Sequence, residues 1–426
     1  MDRKLFLYSV ASFLALPFVN VTKFKKSKEL NSKTILLGND YIKCTKKPNG
    51  ESIIDDMCDG LIYIKQNNSY YYNKATRLDI KDFGAIGDGI TNDSLALQTA
   101  LDLCVEHKKT LYLSRPERSY LSTKELYING PLYIYGDGMG SCGINFLNCN
   151  GFVLKENPKN IIIEKISINQ ATRFSNKKNN FVAIDILGTN SNRAYTNIFR
   201  DLLIDGFYIS IRVFWMWDSL FDNVKTIFSN RGIEILGTSV NNNIINSSIN
   251  VEGEDSKGIF FSDSNYPTEG FMITNNLIFG AEIAIHAIYT NNIYLCSNIL
   301  DFIGKNAILL ETGNGPSTNW QISGGYIAMS TTHGEAAVKI NNSIYHNQIR
   351  GVKISNVDIL AYKDAKCNYG ILTIGEYDRI IICENSFTNF NTLDIKIINS
   401  NYNNHIRSNF LEKGLSVNNK LVTQNN

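Results

Sequence analysis

A chain of 426 residues would ordinarily fold as two or three domains, unless it is a solenoid that lengthens by adding coils. A formal net charge of +2, with charged residues at 19%, supplies no basic surface of the kind nucleic acid requires. The eight cysteines form no C-x-x-C pair and no zinc spacing. Most stand beside apolar residues as core thiols, and Cys44 with Cys58 or Cys142 with Cys149 are the pairs open to an exported chain.

In chain order, the first element is a basic start, Arg3 and Lys4, followed by an apolar run from Leu5 to Val19, short for a membrane span of about 20 residues. Residues 1–29 therefore read as a signal-like or anchoring segment of a secreted or cell-envelope protein. There is no A-x-A cleavage site, and Lys23, Lys25, Lys26 and Lys28 follow directly. An uncleaved anchor or a virion-attachment segment, which would place the chain on a virion tail, is the alternative. Residues 30–77 read as a small N-terminal module: "GLIYIKQNNSYYYNK" has two apolar, aromatic runs joined by Gln66 to Ser69, a hairpin signal whose role is packing or attachment.

"DFGAIGDGITNDSLALQTALDLC", Asp82 to Cys104, begins with glycines at 84, 87 and 89 and then turns helical, with Asn92 or Asp93 as cap and Leu95, Leu97, Ala100, Leu101 and Cys104 on one face. Its glycine spacing matches neither dinucleotide-binding nor P-loop patterns. Beyond Leu126, isoleucine-rich segments such as "NIIIEKISIN" and "SNILDFIGKNAILLE", broken by Asn, Gly and Ser, recur every 20 to 30 residues. Short strands at that period, with no helices between them, predict a parallel β-helix in which each coil buries its apolar residues against the next. Stacked asparagine side chains are expected at its turns.

The "DFGAIGDGITNDSLALQTAL" stretch closely resembles the opening of the pectate-lyase-like right-handed parallel β-helix superfamily, which includes phage tailspike depolymerases and secreted polysaccharide-degrading enzymes. The resemblance implies an all-β, single-stranded right-handed parallel β-helix over residues 78–410, a short N-terminal capping helix, and a polar C-terminal tail at 411–426. It also implies a polysaccharide partner, and that Asp82, Asp88 and Asp93 serve turns and caps rather than chemistry. Relatives of the tailspike type are homotrimers, but nothing after Phe410 reads as a trimerisation module.

Function should lie on the outer face, where stacked coils about 4.8 Å apart align side chains in rows. Aligning the steps Gly232-Ile233, Gly258-Ile259, Ala284-Ile285, Ala307-Ile308 and Ala337-Val338 places Asp263 and Glu311 just after their strands, Glu282 and Glu335 just before theirs, and Asp301 six residues before its step. Asp263, Glu282, Asp301 and Glu311 are the candidate catalytic acids, with Glu282 or Asp301 as general acid and Asp263 or Glu311 as the base that activates water. His333 beside Glu335 is a further acid–base candidate, while His286 is as readily a partly buried strand residue. The long interruptions "SDSNYPTEGF" and "ETGNGPSTNW" supply loops beside a groove, with Tyr266, Trp320 and Tyr326 as sugar platforms. Upstream, one of Trp215 and Trp217 should face out.

The expected activity is a glycoside hydrolase, a depolymerase of capsular or exopolysaccharide, needing no cofactor. The polygalacturonase motifs N-T-D, G-D-D, G-H-G and R-I-K are missing. A lyase or epimerase acting on uronic acids is the alternative, with "EGEDSKG" (Glu252, Glu254, Asp255, Lys257) able to hold Ca²⁺ and a base. A non-catalytic glycan-binding solenoid is the third reading.

Overall fold

The computed structural model describes residues 41–47, 52, 61–66, 69–173, 179–330, 334–342, 349–375, 377–398, 405–418 and 420–422. The signal-like segment 1–29, Cys58 and His333 lie outside the described residues.

In the strand Arg231–Leu236, Ile233 and Ile235 are buried while Glu234 between them faces out. Lys257–Phe261 repeats the alternation, as a pleated strand with one buried face demands, while in Ile283–Ile288 and Asn306–Glu311 the residues on the outer side, His286 and Leu309, are themselves covered. Ile233, Ile259, Ile285, Ile308 and Val338 pair in that order from strand to strand, the register of the aligned steps. Columns of branched side chains therefore stack inside, and each fully buried one contributes about 1.5–3 kcal/mol against exposure. Repetition of this unit builds a parallel β-solenoid of about eleven turns, one face of which is a 13-stranded sheet.

The other two faces meet at a sharp corner. Asn246, Asn275, Ser297 and Asn356 take left-handed backbone there, with φ of 53, 57, 55 and 56°. Asparagine tolerates that region better than most residues. The buried residue that follows each corner then forms a ladder: Ser247 N–H donates to Asn276 Oδ1, and Asn276 N–H to Asn298 Oδ1. Asn276 and Asn298 amides donate in turn to the carbonyls of Ile244 and Ile273, so the polar groups are satisfied inside the wall.

The helix Ser94–Glu106 buries Leu97, Ala100, Leu101 and Cys104. Its Gln98 side chain donates to the Tyr127 carbonyl and accepts from the Tyr127 amide, standing in for the strand missing beside Leu126–Ile128, the outermost strand of the long sheet. Asp82, Asp88 and Asp93 are engaged by main-chain amides of Asp79, of Ile90 and Thr91, and of Ile86, Gly87 and Leu121 respectively. Gly87 has φ +70°, and a Cβ there would meet Pro116 Cβ at 2.7 Å.

Tyr41–Cys44, Ser69–Asn73 and Tyr63–Gln66 form a separate antiparallel sheet in that order. Lys109 ties it to the solenoid, donating to the Asn73 carbonyl beneath the Tyr72 ring. At the other end, Leu415–Val417 adds a parallel rung inside the stretch read as a polar tail, because Leu415 turns inward onto the core. Cys142 and Cys149 are free thiols, each donating to a main-chain carbonyl, Leu113 and Ser122, and Cys44 has no disulfide partner among the described residues, outside which Cys58 lies.

Candidate active site

The residue after each aligned isoleucine points outward, and parallel pairing stacks these residues in one row: Asp185, Arg212, Glu234, Phe260, His286, Leu309 and Lys339. Along this row the solvent face of the long sheet carries opposite charges and rings. Asp185 is buried and holds Arg212 in a two-bond pair, at 3.0 and 2.7 Å.

Glu234 has no such partner. Its carboxyl is 13% exposed and lies 3.9 Å from Arg231 Nε, beyond hydrogen-bond length. Burial pushes its pKa up, against the opposing pull of Arg231, Arg212 and Lys257. Arg231 Nη2 also reaches Asp255 at 2.8 Å, and Arg231 Nη1 donates to the Asp255 carbonyl. Lys257 Nζ is 3.6 Å from the same carboxylate. Burial would raise Asp255, but Lys257 and Arg231 outweigh it and hold that carboxyl below its ordinary value. Burial and the neighbouring Arg231 lower Lys257. One guanidinium thus spans two carboxyls that stand no more than roughly 9 Å apart, a separation that two-carboxylate glycoside hydrolysis allows. Phe260 completes the cluster, with Lys257 Nζ 4.5 Å from its ring centroid.

One strand further, His286 Nε2 lies 2.8 Å from Glu311 Oε2, and the Asn341 amide donates to Glu311 Oε1 at 3.1 Å. Burial opposes ionisation of Glu311, yet the His286 and Asn341 contacts and the Lys339 charge prevail and lower its pKa. His286 Nδ1 is buried without a partner among the described residues, and the ring leans on Phe260 at 5.1 Å. Lys339 pairs with Glu335 at 2.6 Å.

The four acids expected to meet do not share one groove. Glu282 and Asp301 lie at the corner before the long sheet, Asp263 and Glu311 at the corner after it. A strand of six residues, about 16 Å or more, separates the two pairs. Asp263 accepts from the Asn314 amide, which binds two loops together, while Tyr266 in the first of them is 60% exposed. Asp301 accepts from the Tyr362 hydroxyl at 2.6 Å, and Tyr326 is beside that phenol. Trp320 is not a platform: it is 1% exposed, paired with Ile293 and Val352 on the inward side, and its Nε1–H donates to Thr290. An even offset along its strand from the inward-facing isoleucine, Ile322, fixes that direction. Glu234 and Arg231 were missed, although the aligned steps carried the signal for Glu234, since the residue directly after each step isoleucine lies on the outer side of its strand; His286, at the same position, is the covered strand residue that one of its two readings gave.

A family model described as rhamnogalacturonase A/epimerase, pectate lyase-like, matches residues 78–308, more than half of the chain. The chain belongs to that family. No curated protein matches the sequence. Among solved structures, the surface protein and adhesin PfbA of Streptococcus pneumoniae is similar at 13% identity and TM-score 0.63, over 80% of this chain and 99% of its own. The Dettilon tailspike protein is similar at 12% identity and TM-score 0.63, over 78% and 70%. The catalytic unit of a GH87 α-1,3-glucanase from Streptomyces thermodiastaticus is similar at 10% identity and TM-score 0.56, over 77% and 68%. At such identities these likenesses establish the pectate-lyase-like solenoid fold, on which adhesin, tailspike and glucanase alike are built.

Proposed function

We propose that the protein is a glycoside hydrolase that cleaves an extended extracellular glycan, of the capsular or exopolysaccharide class, on the outer face of the long sheet. One observation carries the reading: Arg231 spans a carboxyl pushed toward its neutral form, Glu234, and one held ionised, Asp255. Environments that separate two carboxyl pKa values in this way assign acid and base. Glu234 donates its proton to the glycosidic oxygen as the C1–O bond breaks. Asp255 takes a proton from the water that attacks C1 from the opposite side, so the anomeric configuration inverts. Phe260 offers an apolar face to a neighbouring sugar. Family membership and the glucanase and tailspike likenesses support a polysaccharide substrate.

The test is incubation with a panel of acidic and neutral bacterial polysaccharides, with products analysed by mass spectrometry and the fresh anomer by NMR. Products that gain water, with inverted configuration and no loss of activity in chelator, are expected. The lowered Lys257 amine beside Arg231 favours one second reading, elimination or epimerisation at a uronate, with Lys257 as base and Arg231 on the carboxylate. An unsaturated, ultraviolet-absorbing product, or a 5-epimer, would move the assignment there. Full activity in both Glu234→Gln and Asp255→Asn would remove this cluster from the chemistry.

A further inference from the structure

At the corner after the strands Val182–Leu187 and Ile209–Phe214 the chain builds a second structure outside the long sheet. Ala194–Tyr195 pairs in parallel with Met216–Trp217, and bridges from Lys159 to Tyr195 and from Trp217 to Val240 extend the ladder. Lys159, Tyr195 and Trp217 are thereby stacked at successive coil spacings beside a cleft of about 520 Å³, within the size range of ligand sites. Arg193 lies over the Trp217 ring, 4.0 Å from its centroid. This stack leaves two buried donors, Arg193 Nε and Trp217 Nε1, without a partner among the described residues. Native structures seldom leave such groups unmatched, so an acceptor-rich occupant is the simplest complement. Among the described residues Lys159 makes no ion pair and Asp218 is the one acid lining the cleft. Tyr195, 44% exposed, offers a ring to the apolar face of a pyranose.

We propose that this cleft is a binding subsite for a carboxylate-bearing sugar, with Arg193 and Lys159 on the carboxylate and Tyr195 under the ring. It holds glycan without cleaving it and does not depend on the assignment of Glu234 and Asp255. Charge-assisted hydrogen bonds give the preference for an acidic over a neutral sugar. A chain bound here is anchored to the same solenoid that carries the long sheet, which raises the effective concentration of the rest of the glycan along that surface.

The test is calorimetric titration of the full chain, carrying Glu234→Gln to prevent turnover, with trigalacturonate and with maltotriose. Saturable binding of trigalacturonate is expected, at least about tenfold tighter than maltotriose, and weakened about tenfold or more by Arg193→Gln and by Tyr195→Ala. Arg193 packs on Trp217, so its replacement can disturb folding. Tyr195→Ala and Lys159→Gln, at the rim, decide the matter with the fold intact by circular dichroism. No saturable trigalacturonate binding, equal binding of maltotriose, or affinities within twofold of the parent for both rim variants would overturn the proposal. Loss of catalysis without loss of this binding, or the reverse, separates the fate of the subsite from that of the active site.

Discussion

Carboxylates stand at both ends of the strands that form the long sheet, and their surroundings differ. Glu234, on the strand Arg231–Leu236, and Asp255, just before the strand Lys257–Phe261, share Arg231, and neither is committed to a loop: one lacks any hydrogen bond from the described residues, the other is more than half exposed. Past the end of the second strand, Asp263 accepts the Asn314 amide, and an added Cβ on Gly313 would come within 2.3 Å of the same carboxylate. The first arrangement leaves protons free to move to and from a substrate, and the second fastens two loops together. Position on a solenoid corner therefore says little about chemistry, and the partners of each carboxyl say more.

The largest expected effect tests that contrast directly. Glu234→Gln keeps the side-chain shape and removes the proton, so turnover should fall by about 10² to 10⁴, as it should for Asp255→Asn. Rate should also decline as pH rises through the elevated Glu234 pKa and as it falls through the depressed Asp255 pKa. A pH–rate profile of parent and variants on the identified polysaccharide checks both limbs.

Next in size is a stability effect at the far corner. Trp320 fills the core and donates to Thr290 Oγ1 at 3.1 Å. Trp320→Ala should cost about 3–5 kcal/mol in denaturant unfolding, from lost burial and the cavity left behind. A variant of unchanged stability with weakened glycan binding would instead restore it as a surface platform.

The same strands and corners also show what was legible beforehand. The step isoleucines carry both period and register, because inward positions admit only apolar side chains and a one-residue slip would turn Glu234, His286 and Lys339 into the core. The asparagine corners were legible for the same reason: a left-handed position followed by a buried amide restricts the residue type. Groups that meet across coils were less accessible. His286 and Glu311 are in contact although two residues apart in register, and Asp301 finds Tyr362 two coils away through side-chain reach. Trp320 was misplaced because a loop boundary was set too late, and its strand begins at Thr318.

Proton linkage gives opposite signs for two glutamates on one sheet face. Glu234 has a folded pKa raised by burial, so its contribution is fully present below the unfolded value of about 4.3 and is lost as pH rises through the folded value. Glu234→Gln should therefore melt higher than the parent at neutral pH. Glu311 has a folded pKa lowered by His286 and Asn341 despite burial. Its contribution is present above about pH 4.3 and is lost as pH falls through the folded value, so Glu311→Gln should melt lower at neutral pH and converge on the parent in acid. Melting curves from acid to neutral pH distinguish the two. Matching signs would mean that the two carboxyls do not differ as described.

The smallest effects are expected where carboxylates serve loops and phenols. Asparagine at 263 keeps an oxygen that can accept the Asn314 amide, and at 301 one that can accept the Tyr362 hydroxyl, so both Asp263→Asn and Asp301→Asn should turn over within about threefold of the parent, far from the 10² loss that a positioned acid or base implies. The second variant has its own signature. Burial raises the Tyr362 pKa most, and the Asp301 hydrogen bond and charge raise it further, so removing that charge should let the phenol ionise at lower pH, read as phenolate absorbance in an alkaline titration. A hundredfold loss of turnover in either variant, with the fold intact, would place chemistry at the loop or phenol contacts and reverse the contrast between the two ends of the sheet.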